Sequence, residues 1–256
     1  MTSGSMTFRS GNPAVDRYIA EGYETVRGMS SRFSATICGY IIRRQTELGI
    51  SGHFAEVGTF EGRFFIAMAL GLAAGEKALG IDTFEWPNAG LFDRFNAHCA
   101  RFGLTKENYT ALKANTKNMT ARDITAALGG GPVRFWHIDG DHTRKSLSLD
   151  LDLAASVMHP KGILCLDDML HPGYPLIVTG VYEWLQKNPQ MRVLAVLDRE
   201  DIVAAAKFLL CRTDAVDLYL NDLMSTFKAH HWTMQSDWED YFALVLTPHP
   251  RLAEVE

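Results

Sequence analysis

The sequence has few cysteines and no excess of basic residues. Its four cysteines, in a chain of 256 residues, lie far apart, at Cys38, Cys99, Cys165 and Cys211. This spacing does not suggest a disulfide framework or a zinc knuckle, so we expect reduced thiols in the core. Lysine and arginine number 25 against 30 aspartates and glutamates, which gives a formal net charge of −5. No basic surface for nucleic acid is indicated, and a small neutral or cationic partner fits better.

Long hydrophobic runs are also missing. The longest apolar run, residues 64–75, is too short to cross a bilayer. The first residues, MTSGSMTFRSGNP, have no apolar segment typical of a secretory signal. The sequence has no internal repeat and no low-complexity linker, and 47% of its residues are hydrophobic. We therefore expect a soluble cytoplasmic protein with one main domain and no membrane partner.

Short apolar runs alternate with helical segments over most of the chain. Residues 13–49 form two helical blocks, 14–26 and 33–48. The expected strands that follow are 53–57, 77–81, 109–112, 133–138 and 162–166, and the expected helices are 61–74, 87–102, 119–128, 143–157 and 175–187. Such alternation predicts an α/β fold with a mainly parallel sheet and helices on both faces. Three further strands, 192–197, 207–212 and 241–246, surround a helix near 215–229, and their order is left open.

The end of the first strand reads EVGTFEG, residues 56–62. Gly58 allows a tight turn and a close approach to a ligand, and Gly62 allows the next helix to come near. The pattern is not G-x-G-x-x-G, so a dinucleotide fingerprint is absent. Asp82 ends the second strand, where a carboxylate can accept ribose hydroxyls. The alternatives are a turn without a ligand and an aspartate that caps a helix.

Three carboxylates follow the fourth and fifth strands. Asp139 ends one of them, and Asp167 and Asp168 end the other. Carboxylates crowded at adjacent strand ends repel one another unless a cation joins them. Oxygen ligands suit Mg²⁺, or another divalent cation such as Mn²⁺ or Ca²⁺. The alternative is that these acids only cap helices or form turns.

Two side chains near Asp139 can accept a proton. His142, with an ordinary pKa near 6.5, can take it from a hydroxyl group, and Asp141 is the competing base. His137 lies inside the strand, where it is more often a hydrogen-bonded core residue than a ligand.

Four segments together carry a family resemblance. FAEVGTFEGR, GIDTF, HIDGDHTRKSLSLDL and KGILCLDDM resemble metal-dependent class I S-adenosylmethionine (SAM) O-methyltransferases, in order and spacing, over about residues 50–170. Within that group the chain is most similar to bacterial enzymes that methylate hydroxyls of sugars and secondary metabolites, which are related to catechol-type enzymes. The resemblance implies a Rossmann-like, mostly parallel seven-stranded sheet. It implies a methyltransferase domain over 51–256 and, over 1–50, a helical segment that forms a lid, an acceptor surface or dimer contacts.

The same resemblance assigns the site. SAM would contact Glu56, Gly58, Thr59, Gly62, Asp82, Thr83, Asn115, Thr116 and Asp139. The metal would be held by Asp139, Asp167 and Asp168, with His142 or Asp141 as the base. The acceptor would be a hydroxyl of a small molecule, walled by aromatic residues among Phe84, Trp86, Tyr174, Trp232 and Trp238.

Other functions stay open at this stage. One is a metal-independent SAM methyltransferase that acts on an amine, and another is a non-catalytic SAM-binding regulatory module. A homodimer is the default expectation for the assembly.

Overall fold

The structure is a computed structural model that describes residues 9–248, apart from the side chain of Thr233. Eight α-helices lie in this range: α1 Pro13–Arg17, α2 Arg32–Glu47, α3 Arg63–Ala69, α4 Leu91–Arg101, α5 Ala121–Leu128, α6 Arg144–Val157, α7 Leu176–Lys187 and α8 Leu220–Thr226. The nine strands are β1 His53–Val57, β2 Ala78–Asp82, β3 Tyr109–Lys113, β4 Val133–Ile138, β5 Met158–Met169, β6 Met191–Leu197, β7 Ala206–Arg212, β8 His231–Asp237 and β9 Phe242–Leu246. Every strand expected from the sequence is present.

All nine strands form one sheet in the order β3-β2-β1-β4-β5-β7-β6-β9-β8. Strands β1 to β5 are parallel to one another, whereas β7 runs antiparallel between β5 and β6. The α/β class and the mainly parallel sheet are therefore confirmed. The sheet has two strands more than the expected seven, because β9 pairs with β6 and β8 pairs with β9. Strand β8 was not predicted, since its sequence, HWTMQSD, is too polar to stand out as an apolar run.

Successive side chains of each strand point to opposite faces, and each face has its own core. Phe54 and Phe135 pack with α2, α3 and α4 on one face. Their neighbours Ala55 and Trp136 pack with α5, α6 and α7 on the other. Both layers are apolar because a parallel sheet is covered by helices on its two faces.

The N-terminal helical segment is part of the first of these two cores. Val15 of α1 and Ile37 and Ile41 of α2 are fully buried there. The block predicted over 14–26 changes type along its length, since α1 continues as a π-turn over Tyr18–Gly22 and a 3₁₀ turn over Tyr23–Thr25. A role of residues 1–50 as a lid or in dimer contacts stays a prediction, and residues 1–8 lie outside the described range.

The predicted state of the cysteines is confirmed, since all four are free and buried. The helix predicted over 215–229 is divided, with a 3₁₀ segment over Thr213–Leu218 before α8. Among residues 9–248, no helix has both the length and the apolar character needed to span a membrane.

Candidate active site

A cavity of about 650 Å³ lies at the carboxyl ends of β1 to β5. This is the edge of a parallel sheet at which α/β proteins bind ligands. Ten of the residues singled out in the sequence line it: Gly58, Asp82, Thr83, Asn115, Thr116, Asp139, Asp141, His142, Asp167 and Asp168. Glu56, Thr59 and Gly62 are not among the described residues that line it. Their assignment to the cofactor stays a prediction.

Gly58 lets the ends of β1 and β4 come unusually close. Its φ is +80°, and a Cβ atom at this position would lie 1.8 Å from the carbonyl oxygen of Asp139. The Gly58 amide donates to the Ile81 carbonyl (2.8 Å), and the Asp139 amide donates to the Val57 carbonyl (2.9 Å). A side chain at position 58 would therefore separate the strand ends that form one wall of the cavity.

Asp82 connects the glycine turn to the end of β2. Its Oδ2 accepts a hydrogen bond from the Phe60 amide (3.0 Å), and its Oδ1 accepts one from the Phe84 amide (2.7 Å). Each carboxylate oxygen has a second lone-pair site, so Asp82 can still accept a hydroxyl from a ligand. Asp82 thus stabilises the backbone of the turn and also lines the cavity.

Asn115 and Thr116 line the cavity after β3. The Asn115 Oδ1 accepts from the Lys117 amide (3.0 Å) and begins a short 3₁₀ turn over Thr116–Asn118. Thr116 hydrogen-bonds to Asp150 of α6, whose pKa is raised mainly by burial. Asp150 and Lys117 also line the cavity, and neither was singled out in the sequence.

The three strand-end carboxylates converge, and a local distortion of β5 makes this possible. Consecutive residues of a regular strand point to opposite faces. Asp168, however, has a left-handed backbone with φ of +58°, and the pairing of β5 with β7 shifts register between Leu166 and Met169. Such a bulge redirects a side chain. Asp168 can therefore offer a carboxylate oxygen near both Asp139 and His142, all three ligand atoms lying within 4.8 Å of one another.

A row of buried charged groups lies on the protein-interior side of the three carboxylates, which we call the inner side. Glu56 and His137 are paired across β1 and β4, and the Glu56 Oε1 is 2.7 Å from the His137 Nδ1. The His137 Nε2 is 3.1 Å from the Lys207 Nζ, and Lys207 also contacts the Asp167 Oδ2. His137 and Lys207 are fully buried. The expectation that His137 is a hydrogen-bonded core residue is therefore confirmed.

The charges within this inner row stabilise one another. Burial would raise the pKa of Asp167, but Lys207 and His137 together lower it well below its ordinary value. Burial opposes the protonation of Lys207, yet the nearby Asp167 carboxylate keeps its pKa above the usual range. Burial raises the pKa of Glu56, an effect that its hydrogen bond with His137 opposes. The Asp167–Lys207 pair is thus ionised.

On the outer side of the cluster, His142 faces Asp168. The His142 Nε2 is 2.6 Å from the Asp168 Oδ2, and the imidazole stacks on the Tyr174 ring at 4.0 Å between centroids. The hydrogen bond to Asp168 raises the pKa of His142, although partial burial opposes this.

Burial first, and then the Asp167 carboxylate, raise the pKa of Asp139 well above its ordinary value. The negative charge of Asp139 is therefore poorly compensated.

Asp141 has a different environment from His142. Its Oδ2 accepts hydrogen bonds from Ser146 Oγ (2.6 Å) and Thr143 Oγ1 (3.3 Å), and lies 3.3 Å from the Lys117 Nζ. The bond from Ser146 is the largest cause of its lowered pKa. Asp141 therefore stabilises the start of α6 and is a weak proton acceptor.

The mouth of the cavity is apolar. Its exposed lining residues include Met29, Trp86, Tyr174, Ile202 and Val203. Of the aromatic residues expected around an acceptor, only Trp86 and Tyr174 line this cavity.

The other three aromatic residues lie elsewhere. Phe84 is fully buried in the core. Trp232 and Trp238 line a separate cavity of about 920 Å³ between α7 and the last strands. The reason is that Trp232 lies in β8, at the far edge of the sheet, and Trp238 directly follows that strand.

Comparison with known proteins agrees with this fold. Residues 55–169 match a family model described as a methyltransferase domain. A search of curated proteins gives no match to the sequence. Among solved structures, the chain is similar to an O-methyltransferase from Bacillus cereus in complex with SAH, with 14% identity and a TM-score of 0.59 over 78% of this chain and 90% of the other.

Two further structures have the same architecture. The O-methyltransferase TomG from Streptomyces achromogenes, in complex with SAM, has 16% identity and a TM-score of 0.55 over 82% of this chain and 93% of TomG. The SAH-bound methyltransferase PaMTH1 from Podospora anserina has 14% identity and a TM-score of 0.54 over 79% and 88% of the two chains. At identities this low, the structural similarity shows the fold alone. Residues 55–169 thus match a methyltransferase domain model, and the chain has the Rossmann-like fold of these methyltransferase structures.

Proposed function

We propose that this protein is a SAM-dependent O-methyltransferase that methylates a hydroxyl of a small molecule, assisted by a divalent cation. One observation carries the proposal. A single cavity brings together the glycine turn at Gly58, the strand-end carboxylate Asp82 and the cluster of Asp139, Asp168 and His142. The similar structures from B. cereus and S. achromogenes are described as complexes with SAH and SAM.

The cavity suits a SAM molecule and part of an acceptor. A volume of about 650 Å³ lies within the range typical of small-molecule sites. SAM supplies an activated methyl group when bound, so the protein has to orient the two reactants and remove a proton. Asp82 would accept ribose hydroxyls, and Asn115 and Thr116 would lie toward the base. Gly58 leaves room for the cofactor beside β1.

The two carboxylates on the outer side of the site, Asp139 and Asp168, fit a divalent ion. Asp139 and Asp168 offer carboxylate oxygens within 4.8 Å of each other, the kind of donor that hard divalent ions prefer. The raised pKa of Asp139 indicates negative charge that an added cation would stabilise. Of the three carboxylates predicted to hold the metal, Asp139 and Asp168 are best suited. When bound, the ion would supply positive charge beside the acceptor hydroxyl and lower the pKa of that hydroxyl.

His142 is the better candidate for the base. Its Nε2 is directed to Asp168, which fixes the imidazole and leaves Nδ1 to accept a proton from the acceptor. Stacking on Tyr174 holds the ring plane. Asp141 has a lowered pKa and three partners within the chain, which favours His142.

The rim of the cavity supports an acceptor with apolar surface. Trp86 is 68% exposed and Ile202 is 62% exposed, although both line the cavity. Exposed apolar residues grouped around a cleft are typical of a binding surface. Lys117 is the only lysine or arginine among the described lining residues, and it is paired with Asp141. A strongly anionic acceptor, including nucleic acid, is therefore disfavoured.

Methyl transfer can be tested directly. Purified protein is titrated with SAM by calorimetry and then incubated with labelled SAM and a library of phenols, glycosides and polyketides that carry hydroxyls. We expect SAM binding, and hydroxyl methylation that falls when EDTA removes divalent ions. Methylation that is indifferent to EDTA would favour a metal-independent enzyme, in which Lys207 supplies the positive charge beside the carboxylates. SAM binding without product from any acceptor would favour a regulatory module.

A further inference from the structure

Lys207 is a fully buried lysine at the edge of the proposed active site. It is the second residue of the antiparallel strand β7, which pairs with β5, and its side chain reaches the Asp167 carboxylate near the end of β5. Its Nζ contacts the Asp167 Oδ2, lies 3.1 Å from the His137 Nε2 and lies 5.0 Å from the centre of the Phe64 ring. Three neighbours therefore fix the position of the ammonium group.

Asp167 has both oxygens occupied within the chain. Its Oδ2 faces Lys207, and its Oδ1 accepts the Asp168 amide at 2.8 Å. His137 is occupied in the same way, with Nδ1 on Glu56 and Nε2 on Lys207. His137, Asp139 and Asp167 could form a second metal-binding group by distance alone. The ammonium of Lys207 already lies against two of its three members.

We propose that Lys207 is a built-in cation, which takes the place of a divalent ion at the inner carboxylate Asp167 and so confines metal binding to Asp139 and Asp168. Lys207 is a positioning residue in this scheme, because it acts through Asp167 and does not touch the reactants. This inference rests on the proposed function for the outer metal, but the role of Lys207 itself can be tested without SAM or acceptor.

The physical argument is one of charge balance in a buried space. An isolated carboxylate is costly to bury, and removing one partner of a buried pair leaves the other uncompensated. A lysine fixed by three neighbours provides a single positive charge that cannot be removed by chelation. Asp139 and Asp168 line the cavity, whereas the ammonium contacts Asp167, His137 and the Phe64 ring. The same cluster thus holds one permanent and one exchangeable positive charge.

The test uses Mn²⁺ alone as the probe, with the full chain. Mn²⁺ binding is followed by electron paramagnetic resonance, and the melting temperature is measured with Mn²⁺ and with EDTA. Asp168→Asn should weaken Mn²⁺ binding by about tenfold or more, as expected for loss of a ligand, and the charge-neutral double variant Lys207→Met/Asp167→Asn should change it by less than about threefold. Equal weakening by both variants would overturn the proposal.

Lys207→Met removes the charge and keeps most of the side-chain volume. We expect this variant to melt at a lower temperature in EDTA and to gain more from Mn²⁺ than the wild type does, because the ion can replace the ammonium beside Asp167. This additional gain in melting temperature, relative to the wild type, should disappear in Lys207→Met/Asp167→Asn. Lys117→Met is the matched control, since that lysine pairs with Asp141 on the same cavity wall but is largely exposed. It should gain no more from Mn²⁺ than the wild type does.

The outcomes separate this proposal from the wider function. If the wild type binds no Mn²⁺ but Lys207→Met does, the outer metal is wrong and the role of Lys207 is supported. If Lys207→Met gains no more than the wild type, or if the gain persists without the Asp167 charge, the proposal is wrong even when methylation is observed. Should Lys207→Met fail to fold, the neutral double variant decides: it should bind Mn²⁺ as the wild type does, and a loss of binding there would refute the proposal.

Discussion

Replacing Gly58 with alanine tests the close approach of β1 and β4 on which the cavity depends. Two costs add at this position. The left-handed backbone, with φ of +80°, costs a non-glycine residue about 1–2 kcal/mol. The new Cβ would also lie 1.8 Å from the Asp139 carbonyl oxygen, so the strand ends must separate, which costs about another 1–3 kcal/mol as overpacking. We expect Gly58→Ala to lower the free energy of unfolding by about 2–5 kcal/mol, or roughly 10 °C in melting temperature.

Gly75 provides a control for the backbone cost alone. Its φ is +85°, and a Cβ atom there would meet no heavy atom within 4 Å. Gly75→Ala should therefore cost only about 1–2 kcal/mol. The two variants are compared by urea denaturation, and SAM affinity is measured for both. Gly58→Ala should also lose SAM binding, whereas Gly75→Ala should keep it. If the two variants were equally stable and bound SAM equally well, the close strand approach would not shape the site.

Further predictions concern four other parts of the site. The raised pKa of His142 keeps the imidazole protonated to higher pH, so activity should increase as pH rises through that pKa, and Asp168→Asn should move this limb of the pH–rate profile to lower pH. His142→Ala should lower kcat by about 10²–10⁴-fold, whereas Asp141→Asn should lower it by less than about tenfold in the same assay. Glu56→Ala removes the buried partner of His137, so calorimetry should show a loss of stability of about 3 kcal/mol with little change in SAM affinity, and the opposite pattern would make Glu56 a cofactor ligand. Trp86→Ala should raise KM for an apolar acceptor and leave the melting temperature unchanged, because the side chain is 68% exposed.

Much of the site was predictable because it lies at strand ends. Asp82, Asp139 and Asp167 each follow an apolar run, and parallel strands bring such residues to one edge of the sheet. The glycine at position 58 was recognisable for the same reason. These inferences needed only the order of the strands and the period of two along each of them.

Other parts of the site depend on pairings between distant segments. Lys207 stands at the start of an expected strand, and the sequence does not reveal that β7 runs antiparallel beside β5 and brings the lysine to Asp167. The tryptophans of residues 230–238 were expected near the acceptor, but β8 carries them to the far edge of the sheet. The choice of His142 over Asp141 as the base also depends on neighbours, since Ser146 donates a hydrogen bond to the Asp141 carboxylate and Lys117 forms an ion pair with it.

The sequence by itself determined the α/β class, eight of the nine strands and the acids that meet at their ends, because these follow from local periodicity and from residue type. Only the tertiary structure decided how the charges are shared. It paired Asp167 with Lys207 and Asp168 with His142. The reason is that electrostatic partners are set by strand register and by the local distortion at Asp168, and neither is recorded in the spacing of residues along the chain.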